Sequence, residues 1–278
     1  CVGVDGQRGG PATGVPTKTE QSDLLACFHP AHGDISIPVI APGSVEECFY
    51  ATVSAFNWSE RYQGPVILMN EMSMAERAQN IPIPDLEKLQ IENRSVYNGS
   101  NGYMRYAGDS VSPMPIPGHP GAYIANGSEH DPSGDTTHLP NRHIEMTQRR
   151  FNKLKLLTNG TYESLNQEAP IALMPWGGTK GPGMEAYQLL TKQNISLGWV
   201  YTMFLNPLPE TLLTQLRAKD LVIVPELNFM GQWSSILRSH GINAISITQY
   251  TGLPFKVQDL AQRILDVMKS HTKRTVKI

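Results

Sequence analysis

Only three cysteines occur in these 278 residues, Cys1, Cys27 and Cys48, and no two of them form a CxxC pair. That spacing argues against an iron–sulfur cluster or zinc knuckle held by this chain alone, and so few thiols fit a reducing, cytoplasmic setting. Long hydrophobic runs are also missing. The longest, such as Leu221 to Val224, fall far short of a bilayer span, and no charged n-region with an apolar h-region opens the chain. Charge of one sign is not in excess either: 23 basic against 25 acidic residues leave a net charge of -2, which favours neither nucleic acid nor a membrane surface. His29 and His32 lie near Cys27, but a fourth metal ligand is absent and they read as unliganded turn histidines.

What the chain does have is an unusual first twenty residues, CVGVDGQRGGPATGVPTKTE. Val2 to Asp5 reads as a strand, followed by a turn in which Gly6, Gly9, Gly10 and Gly14 permit positive φ or close approach while Pro11 and Pro16 stiffen the path. In parallel α/β sheets ligands bind beyond the carboxyl ends of strands, where this turn would present Arg8. A guanidinium there can grip a carboxylate or phosphate with two hydrogen bonds. Thr17 to Glu20 also reads as a capping box opening a helix to Phe28. A phosphate-cradling Walker loop is excluded, because the Gly-Lys-Ser/Thr ending is missing here and at Gly177 to Gly183.

Further on, Ile35 to Ala41 reads as a buried strand and Ser44 to Glu47 as a second capping box. That box opens a helix whose apolar face runs through Val45, Cys48, Phe49, Thr52, Val53 and Phe56. Pro65 to Met69 is another strand. From Asn70 to about Leu165 the alternation fails and proline and glycine accumulate, as in functional or interfacial loops. One helix is expected there, Asn141 to Leu157, with Ile144, Phe151 and Leu154 inward and Arg142, Arg149, Arg150, Lys153 and Lys155 on a solvated face. From Pro170 strands and helices alternate again: strands at Ile171 to Pro175, Leu197 to Met203, Leu221 to Pro225 and Ala244 to Ile247, and a closing helix from Val257 to Lys269. The expected class is α/β in three parts: 1–90, a connecting and loop region 91–165, and 166–278.

The run Gln7 to Gln21, QRGGPATGVPTKTEQ, resembles over fifteen consecutive positions the signature of the alpha subunit of 2-oxoacid:ferredoxin oxidoreductases, most of all the 2-oxoglutarate type. APGSVEECFYATVSAFNWSERYQGPVIL, the segment around Glu129-His130-Asp131, WGGTKGPGMEA and PELNFMGQW resemble later parts of the same subunit. The resemblance implies half of a pyrimidine-binding-type parallel sheet domain followed by a transketolase carboxy-terminal-like domain. It implies oxidative decarboxylation of a 2-oxoacid to acyl-CoA with reduction of ferredoxin. Arg8 and Thr17 would then hold the 2-oxoacid, and Asp131 would line the pocket.

Thiamine diphosphate with its magnesium, and a 4Fe-4S cluster, would be held mainly by a partner beta subunit, since no Gly-Asp-Gly segment occurs here. The other implied partners are ferredoxin, coenzyme A and an amino-terminal portion of the alpha subunit, with a gamma domain and the first half of the pyrimidine domain. The chain opens without Met on what reads as an internal strand, which leads to the expectation of a split gene or a cleavage before Cys1. Two other readings are a non-catalytic scaffold in such a complex and a hydrolase using Cys1 as an amino-terminal nucleophile. Glu226 and Asn228 are candidate polar groups whose simpler reading is a turn or interface role.

Overall fold

The computed structural model describes residues 1–99 and 102–275. It is an α/β chain with two mainly parallel sheets. Its elements in order are β1 (Val2–Gln7), α1 (Leu24–Phe28), β2 (Val39–Ile40), α2 (Val45–Tyr62), β3 (Val66–Glu71), α3 (Met72–Ala75), α4 (Pro140–Asn152), β4 (Glu163–Leu165) and β5 (Ile171–Leu173). There follow α5 (Lys180–Lys192), β6 (Gly198–Tyr201), β7 (Phe204–Asn206), α6 (Glu210–Arg217), β8 (Leu221–Glu226), α7 (Gln232–Ser239), β9 (Ala244–Thr248) and α8 (Val257–Thr275). The first sheet has the order β1-β3-β2-β7 and the second β4-β6-β5-β8-β9. β1, β3 and β2 are parallel, with Gln7 level with Glu71, while β7 closes the far edge antiparallel to β2.

Apolar burial arranges these elements in layers. Ala51, Ala55, Trp58 and Tyr62 seat α2 on one face of the first sheet with Ile40, Val66, Leu68 and Phe204. Trp58 stacks on Phe204 with ring centroids 4.8 Å apart. A larger core joins the other face to the second sheet through α1, α6 and α7, centred on Trp176 and Trp233, and α5 and α8 cover the outer face of the second sheet. Such shared burial is the main driving force holding the two sheets together. Ion pairing adds to it where Lys180, at the start of α5, meets Glu47 on α2 and Glu163 on β4, while Tyr201 donates to Glu47 Oε2 at 2.5 Å.

Three expectations need correction. The inward face of α2 is the one carrying Ala51, Ala55, Trp58, Ser59 and Tyr62, and Phe56 and Thr52 of the expected face are exposed. Alanines allow a helix to lie close on a sheet, and close packing outweighs the greater apolarity of the opposite face. The capping at its start is real but skewed: Ser44 Oγ accepts from Glu47 N at 3.1 Å, whereas the Glu47 carboxylate accepts from Gly43 N at 2.7 Å instead of from Ser44. In α4, Ile144 and Phe151 are exposed and Arg149 is buried, the reverse of the expected faces; a 3₁₀ turn, Lys153–Leu157, replaces the last part of the helix. Finally, the strand before α2 is only Val39–Ile40, because Ile35 to Pro38 lie outside the ladder.

Candidate functional site

The loop after β1 is built by backbone bonds. Gly9 N donates to Lys18 O at 3.1 Å, Val15 N to Gly9 O at 2.8 Å and Lys18 N to Val15 O at 3.0 Å, so the chain doubles back on itself. Gly14 has φ +48°, and a Cβ there would stand 2.0 Å from Gly9 O, so only glycine fits this crossing. Arg8 and Thr17 each lie one residue from the Gly9–Lys18 contact, and both are exposed. Thr17 occupies a turn and caps no helix, since α1 begins only at Leu24, with Asp23 in the cap position and no side-chain cap bond.

Arg8 stands just beyond the carboxyl end of β1, and its carbonyl accepts from Ser22 Oγ at 3.2 Å. Two carboxylates lie below it. Burial raises the Asp23 carboxyl above its ordinary range and the Arg8 guanidinium draws it back down. Burial, and then Asp23, raise Asp5, and Cys27 donates to Asp5 at 3.8 Å. That thiol is pushed up to about 12, by burial first and then by the two carboxylates, so it is no nucleophile.

What fixes the loop is a carboxylate that the sequence did not single out. Glu71, at the end of β3, is 1% exposed and accepts four donors: Thr19 Oγ1 at 2.6 Å, Gly178 N at 2.5 Å, and Gln21 Nε2 and Ser73 Oγ, both at 3.3 Å. Burial pushes its carboxyl above the usual range, opposed by these four bonds. Gln21 also donates to Trp176 O at 2.9 Å and accepts from Leu227 N at 2.9 Å. The glycine turn at Gly177–Thr179 thus already has an acceptor at its amide, the carboxyl of the chain's own Glu71. The signal in the sequence was weak, because the partners of Glu71 lie 52 residues before it and 107 after it.

Asp131 lies in the 131–135 turn. Its Oδ1 accepts from Ser133 N at 2.8 Å, Ser133 Oγ at 2.6 Å, Gly134 N at 3.2 Å and Asp135 N at 3.3 Å, and the Ser133 hydroxyl holds its carboxyl below the ordinary range. Among the described residues no hydrogen bond joins it to Arg8 or Thr17. Neighbouring Glu129 pairs with His143 and Arg150, tying this turn to α4. Glu226 is fully buried and accepts from Trp233 N at 2.7 Å, Ser234 N at 3.0 Å and Asn228 Nδ2 at 3.1 Å, so it anchors the start of α7. Cys1 is exposed, and its amine donates to Ser59 Oγ at 2.7 Å. No group of three or more His, Cys, Asp or Glu side chains with metal-binding geometry occurs among the described residues, nor any helix long and apolar enough to cross a membrane.

The chain is thus an α/β protein with an exposed guanidinium, Arg8, on a backbone-braced loop at the carboxyl end of a parallel strand. The family model described as "Pyruvate flavodoxin/ferredoxin oxidoreductase, thiamine diP-bdg" matches residues 1–149, and the chain belongs to that family. It is 31% identical to "2-oxoglutarate oxidoreductase subunit KorA" of Mycobacterium tuberculosis, over 94% of this chain and 41% of that relative. It is 32% identical to "2-oxoglutarate synthase subunit KorA" of Methanocaldococcus jannaschii, over 84% of this chain and 63% of that one. Among solved structures, "2-oxoglutarate:ferredoxin oxidoreductase from Magnetococcus marinus with 2-oxoglutarate, coenzyme A and succinyl-CoA bound" superposes with a TM-score of 0.90 at 38% identity, over 96% of this chain and 48% of that one. The chain thus spans about half the length of most of the relatives it matches.

Proposed function

We propose that this chain supplies the substrate-carboxylate site of a multi-chain, thiamine diphosphate-dependent 2-oxoacid:ferredoxin oxidoreductase, with 2-oxoglutarate as the favoured acid. The observation that carries the reading is Arg8: an exposed guanidinium without an ion pair among the described residues, on a loop pinned from beneath by Glu71. Arg8 grips the carboxylate through charge-assisted bonds and Thr17 donates a further one, orienting the ketone for attack. Asp131 lines the approach to the same pocket from the loop region. Thiamine diphosphate supplies the carbanion chemistry; its diphosphate and magnesium, and the 4Fe-4S cluster, belong to a beta subunit.

The open edge supports a partner on the other side. Among the described residues β1 is an outermost strand, paired with β3 alone, and Val4 is 71% exposed. An unpaired strand edge is a template for another strand, and the preceding half of the alpha subunit, with its gamma domain, fits there. Residues 1–90 form the second half of the pyrimidine-binding-type domain, 91–165 the connecting and active-site loop region, and 166–278 the transketolase carboxy-terminal-like domain. The whole acts in the cytoplasm.

The test is dye reduction by the complex co-purified with this chain, given coenzyme A and either 2-oxoglutarate or pyruvate. Arg8→Ala is expected to cost about 2–4 kcal/mol of transition-state stabilisation, a loss of roughly 30- to 1,000-fold in kcat/KM. Preference for pyruvate would reassign the substrate. A fully active Arg8→Ala complex would leave the chain a scaffold.

A further inference from the structure

A second cationic cluster lies away from Arg8 and owes nothing to the reading above. Arg149, on α4, is only 8% exposed. Its NH2 group reaches Ser112 Oγ at 3.2 Å and Arg105 O at 3.4 Å, while its Nε is buried without a partner. The guanidinium carbons of Arg149 and Arg105 each stand 5.8 Å from the centre of the Tyr106 ring. One turn further along the chain, Lys153 Nζ lies 4.3 Å over the Tyr62 ring and reaches Gln63 O at 3.4 Å. Gln63 in turn donates to Ser112 O at 2.8 Å, and its own Oε1 is a second buried polar atom without a partner.

No carboxylate neutralises this group. The nearby Glu129 is taken by Arg150 and His143, and among the described residues Arg105, Arg149 and Lys153 form no ion pair. Burial and then the neighbouring arginines push the Lys153 amine down to about 8, and burial and then Arg105 lower Arg149. Half-buried cations that repel one another, with a donor left unmade, are costly unless an anion joins them. Guanidinium forks beside an ammonium are the arrangement that receives phosphoryl oxygens.

We propose that Arg105, Arg149 and Lys153 form a binding site for a phosphoryl oxyanion, either free phosphate or the phosphomonoester end of a larger molecule. The oxyanion accepts from Arg149 Nε and from the Arg105 and Lys153 donors.

The experiment uses the full chain as purified with its partners. Inorganic phosphate and ethyl phosphate are each titrated against chloride at constant ionic strength, followed by equilibrium dialysis and by the unfolding midpoint. Saturable binding is expected, weakened about tenfold in Arg105→Gln and in Lys153→Met, since each removes one charge-assisted contact. Both replaced side chains are partly exposed, so folding is retained. Tighter ethyl phosphate identifies a phosphomonoester; tighter inorganic phosphate identifies the free ion. Absence of saturable binding by the unaltered protein, or binding by both variants as tight as that of the unaltered protein, overturns the site.

Discussion

Replacing Glu71 tests whether the loop is held from below. In Glu71→Ala the Thr19 and Ser73 hydroxyls, 3.3 Å apart, can turn to each other, but Gly178 N and Gln21 Nε2 lose an acceptor. Gln21 keeps its bond to Trp176 O, so the larger loss is at the glycine turn. An abandoned buried donor costs about 1–3 kcal/mol, and with the void left by the side chain the total is about 3–5 kcal/mol. In Glu71→Gln the amide oxygen stays on Gly178 and Gln21 while the amide nitrogen meets two hydroxyls able to accept. The volume is kept and a buried charge disappears, so the cost stays below about 1 kcal/mol. For a chain of this size these values lower Tm by roughly 6–20 °C for the alanine and at most about 4 °C for the glutamine.

The pH dependence has a definite sign. The folded carboxyl titrates above 4.5, so the folded chain holds that proton more firmly than the unfolded chain, and wild-type stability falls as pH rises through the window above 4.5. Glu71→Gln has no such group, and its stability relative to wild type should improve across that window. Calorimetry of wild type and both variants from pH 4 upward measures this. An alanine variant as stable as the glutamine one would refute the reasoning.

Other perturbations reach the loops directly. Gly14→Ala puts a methyl 2.0 Å from Gly9 O and breaks the 2.8 Å Val15–Gly9 bond. It should cost only about 1–3 kcal/mol in stability but, by displacing Arg8, about 100-fold in kcat/KM for the 2-oxoacid, which melting and steady-state kinetics separate. Glu129 loses some stability to partial burial, but Arg150 and His143 outweigh it and hold the carboxyl down at about 2 against 4.5 when unperturbed. Its contribution is present above pH 4.5 and lost as pH falls through about 2, so exchange of the His130 and Thr137 amides, which donate to Glu129, should quicken in that window, and begin to do so at higher pH in Arg150→Gln.

The alternation of strands was legible because buried parallel strands such as Val66 to Met69 and Leu221 to Val224 are continuous apolar runs, whatever they pack on. The helix faces were less so. α2 is apolar on both sides, and ranking Phe and Val above Ala picks the wrong one when close approach to a sheet decides. Arg149 was placed in solvent by its charge, whereas Tyr106 and Ser112 receive it inside. The position of Arg8, exposed just after β1, could be read from local glycine and proline chemistry. Glu71 could not, since nothing near it in the chain distinguishes it from a surface glutamate, and its partners come from two other segments. The same long-range bonds delay α1: Gln21 turns inward to Leu227 and Trp176, so the helix starts only at Leu24.

The step from β6 to β7 carries a mechanical consequence. β6 belongs to the second sheet and β7 to the first, with only Thr202 and Met203 between them. Two extended residues reach about 7 Å at most, and both are tied down: Thr202 Oγ1 donates to Thr161 O at 2.8 Å and Met203 O accepts from Ala41 N at 2.7 Å. The sheets are riveted at this point, and gaping between them would require a strand to be peeled away. Movement is therefore left to the surface segments, and the platform under Arg8 keeps its spacing to the second sheet.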